Sequence, residues 1–142
     1  MKKINKKKKG FTLIELVIVL AVLAIIALIA IPNFTKVRND SLIKADARTG
    51  EQIKKITLMA IANEDVKVTT GSGTTDIELT FGDDGIEVGD EGIYNDDGTN
   101  YKTMLKEVKA PQVNGKDGYV VKIDNQGNVK VYYNGGTETL TE

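Results

Sequence analysis

Residues 6–32 of the chain read KKKKGFTLIELVIVLAVLAIIALIAIP. Its apolar part, residues 11–31, carries a single charge, Glu15. A helix of that length can cross a bilayer, which needs about 20 apolar residues. One carboxylate in the hydrocarbon core costs roughly 2.5–3.5 kcal/mol on insertion scales. The run therefore predicts a membrane helix whose only acid needs a partner.

Charge is distributed unevenly on the two sides of this run. The first ten residues hold six lysines and no acid, whereas residues 63–142 hold sixteen acids and seven lysines, a net of −9. Lysines that precede a membrane segment are typical of its cytoplasmic side. We therefore expect a cytoplasmic leader and an external C-terminal part. Its acidity argues against a nucleic acid as a direct partner, because phosphate binding needs clustered Lys and Arg.

Two simpler interpretations of the N-terminal region fit less well. A secretory signal peptide has a shorter apolar core and an A-x-A-like cleavage site. Here the alanines between Ala21 and Ala30 are spaced three apart, so that no A-x-A occurs. A plain uncleaved anchor accounts for the run but not for Glu15 or for the Lys9-Gly10-Phe11 junction. The alanine spacing instead favours close packing against other helices.

Residues 9–15, Lys-Gly-Phe-Thr-Leu-Ile-Glu, precede an apolar run that ends at Pro32. This arrangement resembles the class III signal of type IV pilins and their pseudopilin relatives. The resemblance implies that a membrane-embedded prepilin peptidase cuts between Gly10 and Phe11 and methylates Phe11. The mature chain then keeps its membrane helix. The resemblance also implies that Glu15 pairs with the Phe11 amine of an adjacent subunit in a filament.

Pro32 offers two interpretations at the end of the run. Proline removes a backbone hydrogen bond within a helix, so Pro32 could end the helix at the membrane surface. The resemblance favours a kink in a continuing helix, and Gly50 is the weak point of that helix. We expect one helix over residues 12–63. The apolar residues beyond Pro32 recur near the helical period and define the stripe that packs on the rest of the chain: Phe34, Val37, Leu42, Ala45, Thr49, Ile53, Ile56 and Ala60.

The remaining residues alternate as strands do. Residues 101–108 suit one or two helical turns, and residues 137–140 suit a further short strand. The turn at residues 124–127 predicts a hairpin. Strands are predicted over residues 66–70, 77–81, 119–123 and 129–133. The predicted fold is α+β: a long N-terminal helix spans the membrane with its first half, and its second half packs on a small antiparallel sheet.

The predicted organisation has four parts. They are a cleaved cytoplasmic leader (1–10), a transmembrane and assembly helix (11–31), a helix continuation (32–63) and an extracellular β-rich head (64–142). The resemblance implies residence in the cytoplasmic (inner) membrane before assembly and in a bacterial cell-surface filament afterwards. The chain has no Cys, which departs from many Gram-negative pilins and favours a Gram-positive source.

An acidic segment offers a candidate cation site. Residues 82–100 hold seven acids and no basic residue. Carboxylates on a flexible loop are ligands that Ca²⁺ prefers, and some type II secretion pseudopilins carry a calcium-stabilised loop in roughly this part of the chain. The spacing is not that of an EF-hand, and a solvated acidic loop is the alternative. The candidate ligands are Asp83, Asp84, Asp90, Asp96 and Asp97.

The residue types favour a structural function over an enzymatic one. The chain has no His and no Cys, which removes the usual general base and thiol nucleophile. The resemblance implies a subunit of a type IV pilus that serves motility and adhesion. Its partners would be copies of itself, the prepilin peptidase, an assembly ATPase and a platform membrane protein. The alternatives are a pseudopilin of a type II secretion or competence system and a membrane-anchored binding domain that does not polymerise.

Overall fold

A computed structural model describes residues 10–68, 73–89, 93–95 and 98–142. Residues 1–9 of the predicted leader lie outside these ranges. The elements, in chain order, are α1 (Leu13–Ala62), β1 (Thr75–Gly82), β2 (Gly85–Val88), α2 (Thr99–Met104), β3 (Gly118–Ile123) and β4 (Val129–Tyr133). The predicted α+β fold, with one long N-terminal helix and a small antiparallel sheet, is confirmed.

Helix α1 runs for 50 residues and does not end at Pro32, which lies inside it. The Thr35 hydroxyl donates a hydrogen bond of 2.9 Å to the Pro32 carbonyl. The chain divides into two compact units, the first ending at Arg38 and the second formed by Asn39–Glu142. Within the described part of the first unit, almost every side chain of α1 is exposed.

In the second unit, α1 buries one face against the sheet. Its buried residues are three or four positions apart and share that face: Asp46, Gly50, Ile53, Thr57 and Ala60. The predicted stripe was right at Ile53 and Ala60 but wrong at Phe34 and Val37, which are 72% and 64% exposed and belong to the first unit. Three residues of this buried face, Asp46, Gly50 and Thr57, are not apolar. A prediction based on apolar periodicity therefore does not include them.

The second unit contains a four-stranded sheet in the order β2-β1-β3-β4, with every neighbouring pair antiparallel. Ile77, Val121 and Val131 stand opposite one another across its three longest strands, and all three are fully buried. Burying an aliphatic side chain of this size contributes about 1.5–3 kcal/mol. This face of the sheet and Ile53 of α1 belong to one hydrophobic core.

Several predicted elements differ from the observed ones. Val66 makes one isolated bridge with Tyr94 rather than starting a strand, and residues 69 and 70 lie outside the described part of the chain. The predicted strand at 137–140 is likewise a single bridge, between Thr139 and Tyr132. Strand β2 lies within the acidic segment that was expected to be a loop. Its apolar signal is only Ile86 and Val88, too short to stand out among the surrounding acids.

The predicted hairpin between β3 and β4 is confirmed, and Asp124 organises its turn. The Asp124 carboxylate accepts hydrogen bonds of 2.9 Å from the backbone N–H groups of Gln126 and Asn128, and one of 2.8 Å from the Asn128 side chain. The bonds from Asn128 hold the pKa of Asp124 below its ordinary value. A short polar side chain that binds its own backbone in this way is typical of tight turns.

The Asp46 carboxylate is the polar centre of the second unit. It is fully buried on α1 and accepts hydrogen bonds from the backbone N–H groups of Gln112 (2.7 Å) and Val113 (3.0 Å). The Tyr133 hydroxyl of β4 donates a third bond of 3.0 Å. A buried carboxylate is tolerated only when donors replace its hydration. These bonds therefore join α1, the segment before β3, and the last strand.

Gly50 brings the C-terminal residues close to α1. A Cβ at this position would lie 3.0 Å from the Leu140 Cβ and 3.5 Å from the Thr141 Cγ2. The Leu140 N–H donates a 2.7 Å bond to the Val131 carbonyl, and the Lys54 ammonium donates to the Glu142 carbonyl. Gly50 weakens the helix, but it leaves space for Leu140 and Thr141. The segment that contains these two residues lies along the edge of the sheet formed by β4.

Buried tyrosines make further contacts with α1. The Thr57 hydroxyl donates to the Ile53 carbonyl (2.8 Å), so it accepts the 2.6 Å bond from the Tyr101 hydroxyl. Burial raises the pKa of the Tyr101 hydroxyl. Burial also raises the pKa of Tyr119 and of Tyr133, and the nearby negative charge of Asp46 raises both further.

Replacing Asp46 with Ala should destabilise the second unit strongly. The variant loses two backbone hydrogen bonds to a carboxylate, each contributing about 1.5–3 kcal/mol, so we expect a loss of about 3–5 kcal/mol. Denaturant unfolding of the detergent-solubilised chain measures the effect. Asp40→Ala removes an exposed acid from the same helix and should change stability by less than about 0.5 kcal/mol. Equal stability of the two variants would contradict the role of Asp46.

The buried tyrosines predict a loss of stability at alkaline pH. An unfolded tyrosine ionises near pH 10, whereas the folded Tyr101 retains its proton to a higher pH. The unfolded state then binds fewer protons than the folded state, so stability falls as pH rises above about 10. Unfolding free energies from pH 8 to 11 should show this fall. Tyr101→Phe should make this fall in stability shallower.

Candidate processing and assembly site

The predicted cleavage site lies just before α1 begins. Residues 10–12 are not helical, and Phe11 is 92% exposed. A Cβ placed on Gly10 would meet no atom within 4 Å. A protease needs access to backbone that is not held in a helix, and a residue without a side chain allows the closest approach. The position and exposure of Gly10–Phe11 are therefore compatible with cleavage at this bond.

Thr12 and Glu15 form a reciprocal cap at the start of α1. The backbone N–H and the hydroxyl of Thr12 each donate a 2.8 Å hydrogen bond to Glu15 Oε2. The Glu15 N–H donates a 3.3 Å bond back to the Thr12 hydroxyl. This arrangement is a capping box, in which two otherwise unsatisfied N–H groups at a helix start find partners.

The cap supplies a partner for Glu15 that was not predicted from the sequence. The spacing T-x-x-E before an apolar run is a known capping signal, and it could have been read from the sequence. A carboxylate in the first turn also interacts favourably with the positive end of the helix dipole. Glu15 therefore has a hydrogen-bond partner within its own chain. This partner is Thr12, the residue that follows Phe11.

The apolar run that follows is exposed with respect to the residues that the structure describes. The large side chains from Leu13 to Ile31 are all at least half exposed. Helix α1 contains a stretch long and apolar enough to cross a membrane, and none of that stretch is buried. Contiguous apolar surface of this kind indicates contact with lipid or with a partner protein. Pro32 follows the run directly, and its role in assembly stays a prediction.

The candidate calcium ligands are only partly described. Asp83 and Asp84 form the two-residue turn between β1 and β2, whereas Asp90, Asp96 and Asp97 lie outside the described residues. Among the residues that the structure describes, no three or more carboxylates lie close enough together to hold a metal ion. The calcium site stays a prediction from the sequence.

Comparisons with known proteins agree with this geometry. Residues 5–31 match the family model of the prokaryotic N-terminal methylation motif. Over 126 residues the chain is 33% identical to prepilin peptidase-dependent protein A of Clostridium perfringens (strain 13 / Type A). That alignment covers 88% of this chain and 84% of the relative. No solved structure matches the chain.

A methylation motif that leads into an exposed apolar helix is characteristic of the prepilin class of proteins. The relative matches along most of both chains, so the likeness extends beyond the motif into the α+β unit. The chain belongs to the type IV pilin and pseudopilin family. This family consists of structural proteins rather than enzymes, and the motif and the apolar helix are consistent with membrane anchoring.

Proposed function

We propose that this protein is a structural subunit of a type IV pilus. Prepilin peptidase cuts the chain between Gly10 and Phe11, methylates Phe11, and leaves the apolar helix at the new N-terminus. The relative from Clostridium perfringens is named for its dependence on prepilin peptidase, and the methylation motif supports the same processing here. The non-helical, exposed junction before α1 supports cleavage at this bond.

The observation that carries the proposal is the position of Glu15. It stands in the first turn of a helix whose apolar side chains are uncovered. Cleavage would create a cationic amine on Phe11, one residue from the capping box. In a filament, that amine on a neighbouring subunit is the partner for Glu15. Deleting one member of a buried charge pair costs about 3–5 kcal/mol, so Glu15 favours only the register in which a neighbour supplies the cation.

The subunit would be stored in the membrane before assembly. Lipid covers the apolar side chains of α1 in that state, and the helices of neighbouring subunits cover them in the filament. The alanines spaced three apart from Ala21 to Ala30 allow such helices to approach closely. Assembly then requires an ATPase and a platform membrane protein as partners, and motility and adhesion are the surface functions.

A pseudopilin of a type II secretion system is the second candidate. The four-stranded sheet of the second unit favours a pilin or a secretion pseudopilin over the small helical heads of many competence pseudopilins. Electron microscopy of sheared surface material, labelled through residues of the second unit, separates the candidates. Long labelled fibres support a pilus, whereas label confined to the membrane supports a pseudopilin or a non-polymerising anchor.

Glu15→Ala should block assembly but not cleavage. The variant keeps Gly10 and Phe11, so its leader should still be removed and the chain should remain in the membrane. Without the carboxylate a neighbour's amine finds no partner, and we expect at least about a hundredfold loss of sheared filament, corresponding to about 3 kcal/mol per contact. Immunoblots of sheared and membrane fractions measure both quantities. Asp40→Ala is the control, and normal filament yield from Glu15→Ala would contradict the proposal.

A further inference from the structure

Asparagine is followed directly by glycine at two places in the chain, Asn114-Gly115 and Asn134-Gly135. Such a pair can react within itself, because the backbone nitrogen of the glycine and the side-chain carbonyl carbon of the asparagine can join in a five-membered ring. Glycine has no side chain to shield its nitrogen. The two pairs are therefore candidate sites of a spontaneous chemical modification.

Both pairs lie at the centre of a tight turn of the same type. The Lys116 N–H donates a 3.2 Å bond to the Val113 carbonyl. In the second turn the Gly136 N–H donates a 2.9 Å bond to the Tyr133 carbonyl. The central glycines have φ of +79° and +70°, and neither asparagine has a positive φ, which is typical of a type II turn. No described residue accepts a hydrogen bond from the N–H of either central glycine, so both nitrogens are available.

The two asparagines differ in how the fold holds them. The Asn134 N–H donates a 2.9 Å bond to the Gly118 carbonyl, which extends the pairing of β4 with β3, and Asn134 is half-buried. Asn114 is exposed, and no described residue accepts a hydrogen bond from its N–H. Ring closure requires the asparagine to rotate until the two reacting atoms meet. At Asn134 this rotation breaks a main-chain bond that Asn114 does not have.

We propose that Asn114 is a site of spontaneous deamidation and that the fold protects Asn134 from the same reaction. The Gly115 nitrogen gives its proton to hydroxide and bonds to the Asn114 Cγ. The Cγ–Nδ2 bond breaks, and the nitrogen leaves as ammonia after taking a proton from water. A water molecule then opens the ring at one of its two carbonyls. Opening at Cγ gives aspartate, whereas opening at the main-chain carbonyl gives isoaspartate, in which the main chain passes through Cγ.

The reaction changes the chain directly beside the buried carboxylate of the second unit. The Val113 N–H, one residue before Asn114, donates a 3.0 Å bond to Asp46 Oδ2. Isoaspartate lengthens the main chain immediately after Val113, and either product adds a negative charge on that side of Asp46. Both changes weaken the bond from Val113 to Asp46, so deamidation lowers the stability of the second unit. This inference does not depend on the filament function, because it involves no residue of the apolar run.

Mass spectrometry of the full chain in detergent micelles tests the assignment. The protein is incubated at mildly alkaline pH for increasing times and then digested with trypsin, which cleaves after lysine and puts the two asparagines in separate peptides, residues 110–116 and 131–142. Deamidation replaces NH with O and so changes the mass of a peptide. We expect Asn114 to convert at least about fivefold faster than Asn134, the effect of one additional backbone hydrogen bond. Equal rates, or no conversion of Asn114, would overturn the proposal.

The same incubation in denaturant shows whether the fold causes the difference. Both asparagines precede a glycine, so we expect similar rates once the hydrogen bond to Asn134 is lost. Asn125 is an exposed turn residue that precedes Gln126 instead of a glycine, and it should convert more slowly than Asn114 with and without denaturant. A rate difference between Asn114 and Asn134 that persists in denaturant would contradict protection by the fold.

Asn114→Gln tests the structural consequence. Glutamine keeps the amide, but its ring would have to be larger and closes far more slowly, so this variant should not be modified. After long incubation we expect the original chain to unfold at a lower denaturant concentration than before, whereas the midpoint of Asn114→Gln should not change. Freshly prepared Asn114→Asp has the added charge without the longer main chain and should unfold between the fresh and the incubated original chain. An unchanged midpoint after conversion of Asn114 would overturn the effect on Asp46.

Discussion

A carboxylate on the apolar face of a helix needs hydrogen-bond donors, and α1 meets this constraint twice. Glu15 accepts two bonds from Thr12 at the start of the helix. Asp46, about four turns before Ala60 at the end of the predicted apolar stripe, accepts backbone bonds from Gln112 and Val113 and a third from Tyr133. An unsatisfied buried carboxylate would be very costly, so Asp46 depends on its donors. Glu15 is exposed and would depend on its own donors once its helix is inserted in a membrane.

The two acids differ in whether their donors can be exchanged. The donors to Asp46 come from the same folded unit and are part of its core packing, so this carboxylate has a permanent structural role. The donors to Glu15 come from a single turn at an exposed helix end. Under the proposed function, Thr12 donates hydrogen bonds to Glu15 as long as the subunit is stored in the membrane. In the filament, the Phe11 amine of a neighbouring subunit pairs with Glu15 instead. One acid then stabilises the subunit, and the other governs its assembly.

Much of this could be predicted from the sequence, because the signals were local. The apolar run, the hairpin around Asp124 and the strands β1, β3 and β4 depend on periodicity and turn residues close together in the chain. The functions of Asp46, Gly50 and Thr57 could not be predicted, since their partners lie far away: Gln112, Leu140 and Tyr101. Strand β2 was missed because its two apolar residues stand among acids. The Thr12–Glu15 cap could have been predicted from its T-x-x-E spacing. Only an intermolecular partner for Glu15 was predicted.

Under the proposed function the chain is processed at the start of its apolar helix, which makes Phe11 the cationic end of α1. Mass spectrometry of the N-terminal peptide tests it most directly, using protein from cells that contain an active prepilin peptidase. We expect a chain that begins at Phe11 and carries one added methyl group on its α-amine. An intact leader, or a chain that begins beyond residue 31, would contradict it.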